Sequence, residues 1–300
     1  MGVAISVVVV VHDMARELPR TLETLSCPYQ QAIEADDYEV VVVDNGSAVP
    51  VDVQLGERYP MRLRVARIDD APPSPARAAN LGISLADGEL IGLIVDGARM
   101  ASPGLLAGAR QGATLATRPV VATAAFHLGR GRHMDAADAG YDQQVEDELL
   151  ESVDWRKDGY ELFSISVFAG SSGRGWFGPL GESSGLFMAR ETWTELRGLD
   201  EGFALPGGGL VNHDLYRRAN ELDDTTLVML LGEGTFHQFH GGAATSGRFS
   251  WEEMEADYAQ LRGQGYRPPS NEPLYVGRVP PTALEHLQYS VDRALARRAR

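Results

Sequence analysis

Apolar and polar positions along the first hundred residues fall into alternating blocks of strand and helix type. Val7 to Val11, inside "AISVVVVV", is a β-branched run without a polar interruption. Such a run fits a strand buried on both faces, as in a parallel sheet covered by helices on each side. "MARELPRTLETLS" follows, with Leu18, Leu22 and Leu25 at helical spacing and Pro19 in the first turn. "YEVVVVDNGS" predicts a second strand that stops at Asn-Gly, and "RLRVARI" a third. "SPARAANLGISLA" predicts a helix with Ser74 as N-cap and Pro75 in its first turn, and "ELIGLIV" a fourth strand ending at Asp96. This order predicts a doubly wound α/β sheet whose ligand crevice lies at the carboxyl ends of parallel strands.

Beyond a helix expected from Pro103 to Leu115 the elements become shorter. "VVATAAFHL" and "ELFSISVF" read as strands, separated by a helix on which Tyr141, Val145, Leu149 and Val153 recur every four residues. Between His133 and Trp155 that helix carries only acidic charges, which predicts a solvated acidic face. A glycine-rich stretch, "GSSGRGWFGPLGESSG", leads into "LFMAR", the helix "ETWTELRG", a further helix at "GGGLVNHDLYRRANEL" and a last strand at "TTLVMLLGEG". From Ser246 the pattern is polar and helical. It ends in "PTALEHLQYSVDRALARRAR", an amphipathic helix with a basic end, suited to packing or to a homo-oligomer contact rather than to a membrane.

Composition narrows the function classes. The chain has 300 residues, is 44% hydrophobic, and carries a formal net charge of -15. That charge argues against a general nucleic-acid binder. No apolar run reaches the length of a membrane span. The amino end lacks the basic region and cleavage site of a secretory signal, and the single Cys27 fits a reducing compartment, so a cytoplasmic location is expected.

Four stretches at predicted strand ends carry candidate chemistry: "VVVVVHD"; "YEVVVVDNGS"; "ARAANLGISLADGELIGLIVD"; and "SSGLFMARETWTELRGLDEGF" with the later "GGGLVNHDLYRRA". An Asp at a strand end is a fixed acceptor for a base N–H, or, in the case of Asp44, a cap for the Asn45-Gly46 turn. Arg77, on the helix opened by Ser74-Pro75, is placed to meet a diphosphate. In this order and spacing the four stretches resemble a family 2 glycosyltransferase over roughly Ile5 to Gly242.

The resemblance implies a GT-A fold: an α/β, Rossmann-like, doubly wound mixed sheet over residues 1–245, with a helical extension over 246–300. Residues 1–100 would be the nucleotide-binding half and 101–245 the acceptor half. It implies an enzyme that moves a sugar from a UDP- or GDP-linked donor to a hydroxyl acceptor with inversion. Donor-binding candidates are Val11, His12, Asp44, Asn45, Arg77, Asn80, Asp96 and Arg99, with Asn80 also suited to tying adjacent loops together.

Two positions depart from the family pattern. An acid-x-acid motif for Mn²⁺ or Mg²⁺ is implied at Asp96-Gly97-Ala98, where Ala98 removes one carboxylate. A cation would rest on Asp96 with His237 and His240 of "GEGTFHQFHGG"; alternatively Arg99 takes the ion's electrostatic place. Glu-Asp is implied ahead of "DLYRR", where Val211-Asn212 stand. Asn212 cannot take a proton, so Asp214 is the expected general base, with His213 as the alternative. These departures keep a second reading open: a catalytically weak or inactive nucleotide-sugar-binding protein. "GRGWFG" matches a dinucleotide fingerprint, but the following Pro179 and loop-like sequence argue against it, and Trp176 and Phe177 suggest a sugar-stacking surface.

Overall fold

The computed structural model describes residues 4–133, 140–240 and 250–299. The expected boundary at residue 245 lies outside them. Among the described residues ten strands form one mixed sheet: β1 (Ile5–Val11), β2 (Tyr38–Asp44), β3 (Arg62–Arg67), β4 (Leu90–Ile94), β5 (Arg99–Ala101), β6 (Pro119–Leu128), β7 (Ser166–Phe168), β8 (Leu186–Ala189), β9 (Thr226–His237) and β10 (Leu274–Gly277). The main path runs β10-β9-β6-β8-β4-β1-β2-β3, with β5 on β9 and β7 on β6. β1 lies between β2 and β4, parallel to both, and all seven of its residues are buried. Alternate side chains feed two separate cores: Val8 and Val10 on one face, Val7, Val9 and Val11 on the other. The β-branched run is therefore apolar on both faces because helices cover both.

β8 runs antiparallel to β4 and to β6, and β6 is parallel to β9. The carboxyl ends of β1, β2, β4, β6 and β9 consequently share one edge of the sheet, and β8 begins there. Gly92 permits the close passage of β4 and β8, since a Cβ on it would lie 2.2 Å from the Phe187 ring.

The helices follow their sequence signals with local differences. Leu18–Leu25 has its proline at the first turn and buries Leu18, Leu22 and Leu25. Ala76–Leu85 starts one residue later than expected, with Pro75 at the N-cap, and Ser74 Oγ accepts from the Ala76 N–H at 3.4 Å. The acidic helix is Gln143–Glu151, but its buried positions are Glu146 and Leu150, while Val145 is exposed. The solvated-face expectation fails at Glu146 because Arg16 and the Phe239 N–H reach its carboxylate. Trp176 is also corrected: it is fully buried against Phe126, Phe168 and His286, not a surface for sugar.

The C-terminal region is less purely helical than expected. A helix Trp251–Arg262 begins at a Ser250–Glu253 capping box and stops at Gly263, whose φ is 70°. β10 then adds a parallel edge strand to β9. The last helix, Leu284–Arg298, places Ser290 Oγ 3.0 Å from the Trp176 N–H and His286 in the aromatic core. No helix among the described residues is long and apolar enough to cross a membrane.

Candidate active site

Asp96 stands just past the end of β4, on the shared carboxyl edge. Its Oδ1 accepts the Ala98 N–H at 2.9 Å, which leaves Oδ2 to face outward from that turn. β9, the longest strand, delivers His237 to the same edge, with His237 Nε2 2.6 Å from Asp96 Oδ2. His240 Nε2 lies 3.4 Å from that oxygen and 3.1 Å from His237 Nε2. Asp96, His237 and His240 each offer one ligand atom within 4.8 Å of the others.

Charge in this cluster is set by burial and by neighbours. Burial favours a neutral Asp96, but the two imidazoles outweigh it and hold the carboxyl well below its ordinary range. Burial pushes His237 down to about 3, against the pull of Asp96. For His240 burial also opposes the charge, yet Asp96 prevails and raises it. Arg99 Nε lies 4.0 Å from Asp96 Oδ2, and the Nε and Nη1 atoms of Arg99 are buried without a hydrogen-bond partner among the described residues. Buried guanidinium donors left unpaired are costly and call for an anionic partner.

The other donor-binding candidates divide. His12 is well exposed, and its Nδ1 lies 2.9 Å from the Asn45 carbonyl oxygen, which ties the ends of β1 and β2 together. Val11 is buried. Asn45 spends its side-chain amide on the Pro72 carbonyl. Arg77 is exposed on its helix. Asn80 joins the helix to the loop at 199–201, accepting from the Leu199 N–H and donating to its carbonyl oxygen and to Glu201.

Asp44 and Asp214 are both engaged by other parts of the chain. Asp44 is 1% exposed, and its oxygens accept from the Ser47 and Val51 N–H groups and pair with Arg67. It caps the turn after β2. Burial works against its charge, but those donors hold its pKa below the ordinary carboxylate value. Asp214 is fully buried in the helix Val211–Glu221, with both oxygens held by Arg218 and Arg262 at 2.6–2.8 Å. It anchors that helix and does not present a free oxygen to an acceptor.

His213 meets a residue that the sequence reading missed. Its Nδ1 lies 3.4 Å from Glu182 Oε2, and its ring packs edge-on to Trp251 and Tyr266. Burial holds His213 below its ordinary pKa, while Glu182 raises it. Glu182 precedes β8 at the shared edge: Leu186 pairs with Leu93, and Ser184 Oγ is 2.6 Å from Thr235 Oγ1 of β9. The glycine-rich stretch around Glu182 advertised a loop, but its place beside His213 depends on sheet order. Of two surface hollows, one of about 740 Å³ beside Asp154 and Tyr160 contains none of these groups, and one of about 320 Å³ beside Arg190 and Trp193 is lined by Asn80 alone among them.

Residues 6–96 match the profile of Glycosyl transferase family 2. No curated protein matches the chain. Among solved structures, S. aureus TarS 1-349 in complex with UDP-GlcNAc is similar at 13% identity with a TM-score of 0.53, covering 98% of this chain and 73% of that one. A longer S. aureus TarS structure gives 13% identity and a TM-score of 0.54 over 86% of this chain. The chain spans 42% of that longer relative. At this identity the likeness speaks for the fold. Residues 6–96 thus resemble Glycosyl transferase family 2, and the chain as a whole has a fold similar to that of the GT-A glycosyltransferase TarS.

Proposed function

We propose that the chain transfers a glycosyl group from a nucleotide-diphosphate sugar to a hydroxyl acceptor, with inversion at the anomeric carbon. The observation that carries this reading is the Asp96–His237–His240 cluster beside the unpaired, buried donors of Arg99, at the carboxyl edge of the parallel strands. In open α/β sheets that edge is where ligands bind.

A divalent cation fits the cluster in donor chemistry, with one carboxylate oxygen and two imidazole nitrogens available. Ala98 is fully buried, so a second carboxylate is not supplied there. Held by Asp96, His237 and His240, a cation such as Mn²⁺ would offset charge on the departing diphosphate. Arg99 donates N–H groups to diphosphate oxygens. The bond between the anomeric carbon and diphosphate breaks with its electron pair on the leaving group, and the acceptor oxygen attacks from the opposite side. The acceptor proton passes to Glu182, whose Oε2 lies 3.4 Å from His213 Nδ1, since both oxygens of Asp214 are held by arginines. The C–O bond broken is matched by the one formed.

The test is a thermal-shift and calorimetry screen of UDP- and GDP-sugars with and without Mn²⁺, followed by an assay for sugar transfer. A bound donor at 100 times its Kd raises stability by about 2.7 kcal/mol. Indifference to every nucleotide sugar would overturn the reading. Binding without turnover supports the alternative, an inactive nucleotide-sugar-binding protein, which Asn212 and the sequestered Asp214 favour.

A further inference from the structure

Beside His237 lies a second group of imidazoles. His127, near the end of β6, and His133, in the turn beyond, stack with ring centroids 4.4 Å apart. Their centroids are 5.6 and 5.3 Å from that of His237. Strand pairing sets His127 directly beside His237, and one nitrogen from each of the three rings lies within 4.8 Å of the others.

The hydrogen bonds of these rings decide where their lone pairs point. His133 Nε2 lies 3.0 Å from the Leu128 carbonyl oxygen, to which it donates. Its Nδ1 therefore carries a lone pair, and that atom is buried without a partner among the described residues. His237 Nε2 lies against Asp96, and when it donates there, Nδ1 likewise carries a lone pair, again buried and unpartnered. This is the arrangement of metal-binding histidines, in which the N–H remote from the ion is held by a carbonyl or a carboxylate. The third ring, His127, accepts the His133 N–H at Nδ1 at 2.9 Å, a bond that ligation would exchange for the ion.

We propose that His127, His133 and His237 form a second metal site, for a borderline transition ion such as Zn²⁺. Three uncharged nitrogen donors suit Zn²⁺, Co²⁺ or Cu²⁺ and not Mg²⁺, which takes oxygen. Zinc–nitrogen bonds of about 2.0–2.1 Å require the rings to close up slightly around the ion. Arg99 is near enough to act on all three rings and opposes the ion's charge, while Asp96, bonded through His237, offsets it. With Nδ1 on this ion and Nε2–H on Asp96, His237 cannot at the same time be a ligand in the Asp96 cluster, so the two sites compete for this ring.

The metal-stripped full chain, its His240→Ala variant and its His133→Phe variant are titrated with Co²⁺, followed by visible d–d absorption and calorimetry. His240→Ala leaves the three-ring set intact and is expected to bind one Co²⁺, displaced by Zn²⁺. His133→Phe keeps the stacked ring without its nitrogens, and in the His240→Ala background is expected to weaken binding at least tenfold. Unchanged Co²⁺ binding on adding His133→Phe, or no binding in His240→Ala, overturns the proposal. If His133→Phe does not fold, Cu²⁺ electron paramagnetic resonance on His240→Ala decides: coupling to three nitrogens supports the site, and coupling to fewer overturns it. No arm uses a nucleotide, so the result is independent of the glycosyl-transfer reading.

Discussion

At the scale of single residues, Asp44 and Asp214 are each tied into the chain by arginines. Asp214→Asn leaves Arg218 and Arg262 facing a neutral amide, and breaking a buried pair costs about 3–5 kcal/mol. Both guanidiniums keep part of their surface in water, so a loss on the order of 3 kcal/mol is expected in urea unfolding, with donor affinity of the folded protein unchanged. A large fall in donor affinity or turnover with normal stability would restore Asp214 to the site. Ala98 makes the opposite point. Rebuilding the acid-x-acid pattern with Ala98→Asp inserts a carboxylate into a fully buried position, packed in the same core as Val11 and Met14. Destabilisation of at least about 1–3 kcal/mol is expected, without tighter Mn²⁺ binding. A stable variant with stronger Mn²⁺ affinity in calorimetry would show that the side chain turns out to the cluster.

At the scale of elements, the helix Gln143–Glu151 hides an unusual group. Burial pushes Glu146 up to about 7, although the Phe239 N–H and Arg16 pull the other way. The unfolded carboxyl releases its proton near pH 4.5, while the folded one keeps it until about 7. Within that window the native state binds more protons, so Glu146 makes stability fall as pH rises, and the loss is complete above about 7. Glu146→Gln keeps an acceptor for Phe239 and should be more stable than the parent at pH 8, with a smaller gap at pH 5. Thermal melts at both pH values test this; equal gaps would mean that folding does not shift the Glu146 pKa, and a variant less stable than the parent at pH 8 that the ion pair with Arg16 dominates. Legibility divides along the same line. β1, β2 and β4 were readable because a continuous aliphatic run has few other homes, and Asp96 follows such a run. The partners of Asp44, Asp214 and Glu146 were not, because Arg67, Arg262 and Arg16 arrive from 23, 48 and 130 residues away. His237 and His240 stood out by their glycine-flanked loop, whereas His127, His133 and Glu182 carry no local mark. Only the sheet order brings them to that edge. β10 was missed because four residues with one buried position make a weak strand signal.

At the scale of the whole molecule, the C-terminal region is part of the sheet's closure. Ending the chain after Tyr266 would remove β10 and the helix Leu284–Arg298, leaving β9 with an open edge and Trp176 without its cover from Ser290. Such a chain is expected to aggregate, as size-exclusion chromatography would report; a soluble monomer would show that residues 4–266 close their own core. The clustered site has a comparable dependence, because Asp96 and His237 come from opposite halves of the chain, 141 positions apart. In the language of genetics, the two halves cannot be independent cistrons for this chemistry. A fragment ending after Ala101 would hold the carboxylate and its complement the imidazoles, so neither alone could retain the ion. Co-expressed, they would complement only after β4 finds β8 and β5 finds β9. Recovery of metal binding would then count reassembled sheets.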